Sequence, residues 1–345
     1  MWLGMGIIAR KVQRLGASSY VITLPHSWIE SHNIKPGDTV YIVDDEDRLS
    51  IIPSQKDEEK SKVVYEMDLS KIPIPEIASL AIYCLYVHNL GDTIINLGQL
   101  GKKGVESAKQ AALSLLGLDV LELGESKIMI RPVIDDSKIE IKQVIKGLGI
   151  IVSDIAGMLK DALTGLDITQ SLQLGQKDLL KYQHLVERHV VDTMLHGKGD
   201  VRVHALVLGS GLLGVVGYII LDAADKANKL KIRSDEIASI AQNIKDILPQ
   251  LGSIVAQPSI KRTQELLLQT IAITMDIEER SISSKDSSQT IILTKMADAL
   301  KLLDLILYVI TCSAATSDEY LKKVSNTGFN AWFLGRLFFL AKILQ

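Results

Sequence analysis

Residues 10–53 decide the fold of the first part of this chain, and their sequence is RKVQRLGASSYVITLPHSWIESHNIKPGDTVYIVDDEDRLSIIP. Apolar and polar residues alternate over residues 20–24, which predicts a strand, and Pro25 suits the first turn of a helix, where its missing N–H costs nothing. We predict a short helix over residues 25–33. A Pro-Gly turn follows, and two β-rich runs then flank the acidic loop 44–47. The pattern predicts two hairpins around one short helix.

The size and charge of this module indicate how it works. About 45 residues bury too little apolar surface to be stable alone, so we predict an intertwined homodimer. Residues 1–55 contain five Lys and Arg against six Asp and Glu. Three of the cations gather at the front, as Arg10, Lys11 and Arg14, and four of the acids lie together at residues 44–47. Any contact with nucleic acid must therefore come from this local cluster.

Three features follow one another along this stretch: the motif RKVxxLG at residues 10–16, a strand that ends at Pro25, and a Pro-Gly-Asp turn followed by a hairpin. In this order they resemble the AbrB/SpoVT family of swapped-hairpin DNA-binding domains. The resemblance implies a β-barrel built by two chains, with DNA as its partner. It also implies a set of DNA-binding residues, three basic and two neutral: Arg10, Lys11, Arg14, Ser18 and Ser19. By spacing alone, the same cations could instead solvate one face of a strand.

Composition bounds the rest of the chain. With 345 residues, 47% of them hydrophobic, it can bury a large core and form two or three domains. A net charge of −3 excludes a protein coated in basic residues. Cys84 and Cys312 stand in unrelated apolar runs, which argues against a disulfide framework or a thiolate metal site. The apolar start, without a charged leader, argues against secretion, and we predict a cytoplasmic protein.

After the first module, the spacing of apolar residues changes along the chain and indicates its domain organisation. Residues 54–62 are a charged run that predicts a linker, and strand and helix patterns then alternate up to residue 134. From residue 139, apolar residues recur at spacings of three and four, typical of a helical bundle. One long helix begins there, and five more are predicted at about residues 171–196, 204–228, 233–251, 258–283 and 287–315. We therefore predict a multidomain α+β chain of three domains. Residues 1–55 form a DNA-binding and dimerisation domain, and residues 56–136 form a small α/β connector domain. Residues 137–345 form an all-α six-helix domain of two three-helix repeats.

The stretch LSLLGLDVLELGES at residues 113–126, followed by the first bundle helix, resembles the archaeal phosphate-uptake regulators, which join an AbrB-like domain to a PhoU domain. The resemblance implies a transcription regulator of phosphate uptake and homeostasis, with a phosphate transporter or sensor subunit as a further partner. PhoU repeats usually carry a Glu-x-x-x-Asp motif whose carboxylates can hold metal clusters. Here the matching positions are Leu221-x-x-x-Asp225 and Leu300-x-x-x-Asp304. Because Leu replaces Glu in both repeats, we predict no metal site and no cofactor.

One other group of possible metal ligands stands on a predicted helix. His189, Asp192 and His196 are spaced at i, i+3 and i+7, which offers two imidazoles and a carboxylate on one face. Many helices carry such residues as a solvated polar face. We therefore leave them out of the predicted site.

Residues 209–214 read G-x-G-x-x-G after an apolar run and resemble a dinucleotide-binding fingerprint. That fingerprint requires a following strand ending in an acid, and the sequence beyond it reads as helical. We interpret these glycines as points of close helix contact. Residues 205–221 carry no charge, but the run is shorter than the ~20 residues of a typical span, which favours a buried helix over a membrane crossing.

The last part of the sequence is rich in aromatic residues. All four phenylalanines lie in residues 329–345 together with Trp332, and Arg336 and Lys342 are the only charges there. The segment reads as a closing helix buried against the bundle or against a subunit partner. The alternative is a contact surface for a membrane protein or for the lipid interface.

The sequence contains no recognisable catalytic set. Serines, histidines and acids are scattered, and neither a Walker loop nor a His-Glu-x-x-His pair occurs, so we predict that the protein is not an enzyme. Two other functions compete with DNA-binding regulation. One is an adaptor that regulates a phosphate transporter by protein contact and uses its first module only to dimerise. The other is storage of metal or phosphate in the bundle, which Leu221 and Leu300 disfavour.

Overall fold

The structure is a computed structural model that describes residues 8–16, 19–45, 48–53, 64–72, 74, 76–134, 139–195 and 201–315. The chain divides into two compact units, Met1–Val63 and Val64–Gln345. The first is a small strand-rich module, and the second contains an α/β layer followed by long helices. The α+β multidomain class is confirmed, whereas the division of the second unit into two domains stays a prediction.

The first unit has the predicted order of two antiparallel hairpins around one short helix. Gly16, in the turn of the first hairpin, has a φ of +73°, which glycine adopts without strain. The helix ends earlier than residue 33 because Asn33 takes a left-handed φ of +51°. The elements are β1 (Gln13–Leu15), β2 (Ser19–Val21), α1 (His26–Ser31), β3 (Val40–Asp45) and β4 (Arg48–Pro53).

The second unit begins with a four-stranded sheet in the order β5-β6-β8-β7. β5 and β6 are parallel, because a helix crosses over between them, and the other two pairings are antiparallel. The elements are β5 (Tyr65–Asp68), α2 (Glu76–Val87), β6 (Thr93–Asn96), α3 (Gly101–Leu113), β7 (Leu118–Glu122) and β8 (Lys127–Pro132). Residues of α2 and of the sheet form a separate apolar core, which includes Ile82, Tyr86, Ile95, Ile128 and Ile130.

Six long helices follow the sheet, and all lie where the sequence predicts them, with ends shifted by a few residues. They are α4 (Ile141–Thr164), α5 (Thr169–Leu195), α6 (Val201–Lys229), α7 (Asp235–Ala256), α8 (Ile260–Ser283) and α9 (Ser287–Ala315). Ser234 caps α7, since its hydroxyl accepts the N–H of Ile237 at 3.3 Å. Gly165 ends α4 with a left-handed φ of +103°. The apolar stripes of the six helices meet in one continuous core.

α4 and α7 make the most extensive contact of the bundle, and two glycines allow it. A Cβ on Gly149 of α4 would lie 2.9 Å from the Cα of Gly252 on α7. Ser153 joins the same two helices by donating to the carbonyl oxygen of Lys245 at 2.8 Å. Only glycine at this crossing lets the two backbones approach so closely.

The G-x-G-x-x-G stretch lies inside α6, and two of its glycines are points of helix contact. A Cβ on Gly209 would lie 3.1 Å from Val255, and one on Gly214 would lie 2.8 Å from Gln183. A Cβ on Gly211 would meet nothing within 4 Å. The packing interpretation is therefore confirmed at the first and third glycines.

Within the described ranges, one helix, Leu206–Lys229, is long and apolar enough to cross a membrane by length and composition. Half of its most apolar window is buried inside the protein. The core helix of a bundle has the same properties, so this feature is weak support for a membrane span.

Candidate nucleic-acid interface

The strands of the first hairpin hold two of the five predicted DNA-binding residues, Arg14 and Ser19. Arg14 lies in β1 directly opposite Tyr20 of β2, and Leu15 lies opposite Ser19. Because opposite residues of an antiparallel pair share a face, Arg14 and Tyr20 project on one face and Ser19 on the other. Ser18 lies outside the described residues.

The hairpin thus separates Arg14 from Ser19, which the resemblance to AbrB/SpoVT domains groups together. It also adds Tyr20, which is exposed and is the cross-strand partner of Arg14 on the same face of the hairpin. An exposed aromatic residue next to a cation can contact a base or a sugar. The sequence alone does not reveal this pair, because it depends on the register of β1 against β2.

Arg10 and Lys11 precede β1 and are exposed, as Arg14 is. The Arg10 guanidinium donates to the carbonyl oxygen of the adjacent Ala9 at 3.3 Å. Among the residues that the structure describes, no carboxylate pairs with Arg10 or Lys11. Their charges are therefore available to a phosphate backbone.

Among the residues of the first unit whose exposure the structure describes, none is buried. Several residues in or next to its strands are large, apolar and exposed, namely Val12, Leu15, Tyr20, Tyr41, Ile42 and Leu49. Two short hairpins without a core are marginal in water. We expect a second surface to cover these side chains, and a second copy of the same module is one such surface.

A second polar site lies inside the other unit, where α2 of the α/β layer meets α5 of the bundle. Arg188 is only 2% exposed, and its guanidinium carbon lies 4.7 Å from the centre of the Tyr86 ring. The same guanidinium donates to the side-chain oxygen of Asn89 at 2.6 Å. This residue therefore joins the layer to the bundle through a cation–π contact and a hydrogen bond.

His184 adds to this junction one turn earlier on α5. Its ring stacks on Tyr83 with centres 4.8 Å apart, and its Nδ1 lies 2.9 Å from a Glu187 oxygen. Burial, together with the nearby charge of Glu187, raises the pKa of Tyr218 on α6 to about 12. The α5 residues and their partners in and next to α2 stand about a hundred positions apart in the sequence. No sequence pattern could therefore have predicted these contacts.

The positions considered for metal binding lie in different surroundings. Leu221 and Leu300 are buried core residues, and Asp225 pairs with Lys229 at 2.7 Å. His196 and the Asp192 side chain lie outside the described part. No group of three or more His, Cys, Asp or Glu side chains within that part is placed to hold a metal ion. The absence of a metal site stays a prediction.

A cleft of about 550 Å³ opens between the start of α7, the end of α8 and the start of α9. Arg280 lines this cleft and donates to Glu236 at 2.8 Å and to Asp276 at 2.7 Å. The hydrogen bond to Asp276 and its negative charge raise the pKa of Arg280. Because carboxylates already surround the cation, the cleft does not select an anionic ligand.

Comparison with known families identifies the first module. The family model described as antidote-toxin recognition MazE, bacterial antitoxin, matches residues 13–59. No curated protein and no solved structure matches the chain. The match places a MazE/AbrB-type domain over the strand-rich unit, and it covers a small part of the whole chain.

Proposed function

We propose that the protein is a DNA-binding regulator that acts as a homodimer through its first unit. The observation that carries this proposal is the exposed β1–β2 hairpin with three cations at its front, on a module without buried residues in its described part. The match to a MazE/AbrB-type domain over residues 13–59 supports it. Dimerisation brings two copies of the cation cluster to one assembly, and two clusters bind a polyanion better than one.

The finer proposal is that the regulated process is phosphate uptake. Its support is the order of modules, a strand-rich DNA-binding unit followed by an α/β layer and six long helices, which resembles the archaeal phosphate-uptake regulators. In this scheme the second unit senses the signal or contacts a transporter. The α2–α5 junction at Arg188 then holds the α/β layer against the helices.

Sequencing the DNA recovered with the purified full-length protein tests both levels. An enriched sequence supports the regulator, and enrichment beside genes for phosphate transport supports the finer proposal. Replacing Arg10 and Arg14 by Ala should abolish the enrichment, whereas replacing the exposed residues Lys142 and Lys261 by Ala removes the same charge elsewhere and should leave it intact. Recovery of unselected DNA, with a transporter subunit instead co-purifying, would favour the adaptor.

A further inference from the structure

One face of α8 carries a row of large apolar side chains that the described part of the chain leaves exposed. The row contains Leu268, Ile271 and Met275, at steps of three and four, and we call it the α8 seam. Leu268 is 63% exposed and Met275 is 65% exposed. With about 3.6 residues per turn, the seam lies opposite the side of α8 that packs into the bundle through Leu266 and Ile273. α8 therefore presents a second apolar surface of the kind that packs against another helix.

Charged residues continue the seam at both of its ends. Lys261 lies seven residues before Leu268, and Glu278 lies three residues after Met275, so both stand on the same face as the seam. Both are exposed. The first turn of α8 holds no acid, although the helix dipole favours anions at that end, and Lys261 and Arg262 stand there instead. A cation in this position is unfavourable for the isolated helix and favourable if an acid of another helix faces it.

A second copy of α8 in the antiparallel direction satisfies the seam and both charges in one register. Leu268 of each copy then lies beside Ile271 of the other. The same register sets Lys261 of one copy beside Glu278 of the other, and the two-fold axis repeats this pair at the opposite end. A parallel copy would instead set Lys261 beside Lys261 and Glu278 beside Glu278. Charge complementarity thus selects the antiparallel direction.

We propose that the α8 seam is a contact surface for a second copy of this chain, in an antiparallel and two-fold symmetric helix pair. One helix from each chain is a small contact beside the roughly 1,200–2,000 Å² that a stable interface buries, so the pair is weak by itself. Association through the first unit would hold the two seams at a millimolar effective concentration, at which a weak contact forms. Pairing also removes an exposed apolar surface from water.

Distances between two copies of one labelled residue test this pairing in the full chain. With the exposed Cys84 and Cys312 replaced by Ser, a single new cysteine carries a spin label, so every dipolar coupling arises between chains. Gln269 is exposed near the two-fold axis, and Gln269→Cys labels should lie within about 25 Å, since packed helix axes are ~8–10 Å apart. Ser283→Cys labels should lie about 40 Å apart, because the two copies of this residue are displaced by about 27 residues at ~1.5 Å each.

Variants of the chain labelled at Gln269→Cys test whether the seam is the contact. Leu268→Glu should remove the short distance, whereas Leu174→Glu, at a leucine of α5 that is 62% exposed, should leave it unchanged. Lys261→Glu and Glu278→Lys should each weaken the pairing, because each sets like charges side by side. The two changes together restore opposite charges and should restore the short distance. Circular dichroism of each variant verifies that the helices are intact.

Three results would overturn the proposal. The short distance at Gln269→Cys could be absent, whatever the mass of the chain in solution, which would mean that the seam is not paired with its copy. Distances at Gln269→Cys and Ser283→Cys could be equal, which would show a parallel arrangement. The short distance could survive Leu268→Glu, which would place the contact elsewhere. The cations of the first unit carry DNA binding in the proposed function, so loss of the α8 pair should leave its salt dependence unchanged, and the two proposals fail separately.

Discussion

At the residue scale, Arg188 shows how a buried charge is accommodated in this fold. Its cation lies against the face of Tyr86 and bonds to Asn89, so burial removes it from water but leaves it with partners. We expect Arg188→Met to lower the free energy of unfolding of the full chain by about 2 kcal/mol, because Met fills the space of the side-chain stem but loses both contacts. Lys177→Met, at an exposed position of the same helix, is the matched control.

Urea denaturation followed by circular dichroism measures both variants. Arg188→Lys should also destabilise, since an ammonium cannot reproduce the planar stacking of the guanidinium. Surface substitutions usually change the free energy of unfolding by less than about 0.5 kcal/mol. If Arg188→Met changed it by no more than this, the contacts of Arg188 would contribute nothing measurable to stability.

Asp222 on α6 makes a second prediction at this scale. Partial burial opposes its charge, but hydrogen bonds from Lys226 and from Lys295 of α9 outweigh it and lower the pKa of Asp222. Because the pKa of Asp222 is lower in the folded state, its ionised carboxylate stabilises the fold at pH values above the unfolded pKa of 3.8. This stabilisation is lost as the pH falls through the pKa of the folded state.

We therefore expect Asp222→Asn to destabilise the protein at pH 7 by less than about 1 kcal/mol, because the pair is partly solvated, and the difference from the parent should shrink below pH 4. Thermal unfolding from pH 7 to pH 3 measures this. Asp225→Asn, on the same helix and paired with the exposed Lys229, serves as control. A difference that stays constant across this range would refute the assignment to the Asp222 charge.

At the scale of elements, the α4–α7 crossing gives the sharpest contrast. Gly149→Ala places a Cβ 2.9 Å from the Gly252 backbone, so the helices must move apart, and we expect a loss of about 1–3 kcal/mol. Gly211→Ala makes the same change inside α6, where a Cβ meets nothing within 4 Å. It should be neutral or stabilise by up to about 1 kcal/mol through helix propensity. Equal effects in chemical denaturation would contradict the packing interpretation of these glycines.

The sequence predicted the elements well, because a repeating apolar stripe reports directly which residues face a core. The stripe through Ile145, Leu148, Ile155 and Leu159 is buried in α4 as expected. The strand order β5-β6-β8-β7 and the contact of Arg188 with Asn89 could not be predicted, since they depend on pairings distant in sequence. Periodicity also could not tell the buried face of α8, which includes Leu266, from its exposed apolar residues Leu268 and Met275, because both sets recur at the same spacing.

For the candidate interface, the sequence located the cations but not their arrangement. Arg14 and Ser19 lie close in sequence, yet the register of β1 and β2 puts them on opposite faces. Tyr20 enters the interface only through that register. A shift of the register of β1 against β2 by one residue would exchange the two faces. Local composition therefore cannot decide which side chains act together.

At the scale of the whole molecule, dimerisation of the first unit is the premise of DNA binding. Residues 1–55 expressed alone should associate as a dimer at micromolar concentration, because the described residues leave their apolar side chains without a core. Sedimentation equilibrium of this fragment measures its mass. A folded monomer would remove the intertwined arrangement and, with it, the paired cation clusters.

The salt dependence of DNA binding by the full chain tests the central claim most directly. Two chains bring six cations, from Arg10, Lys11 and Arg14, and if all six contact phosphates the log–log slope of affinity against salt should be about −5. Replacing Arg10 and Arg14 by Ala removes four contacts from the dimer and should reduce that slope to about −2, at roughly 0.9 per contact. Replacing Lys142 and Lys261 by Ala should leave it unchanged. A variant without Arg10 and Arg14 that binds DNA with the slope of the parent would show that the hairpin is not the DNA-binding surface.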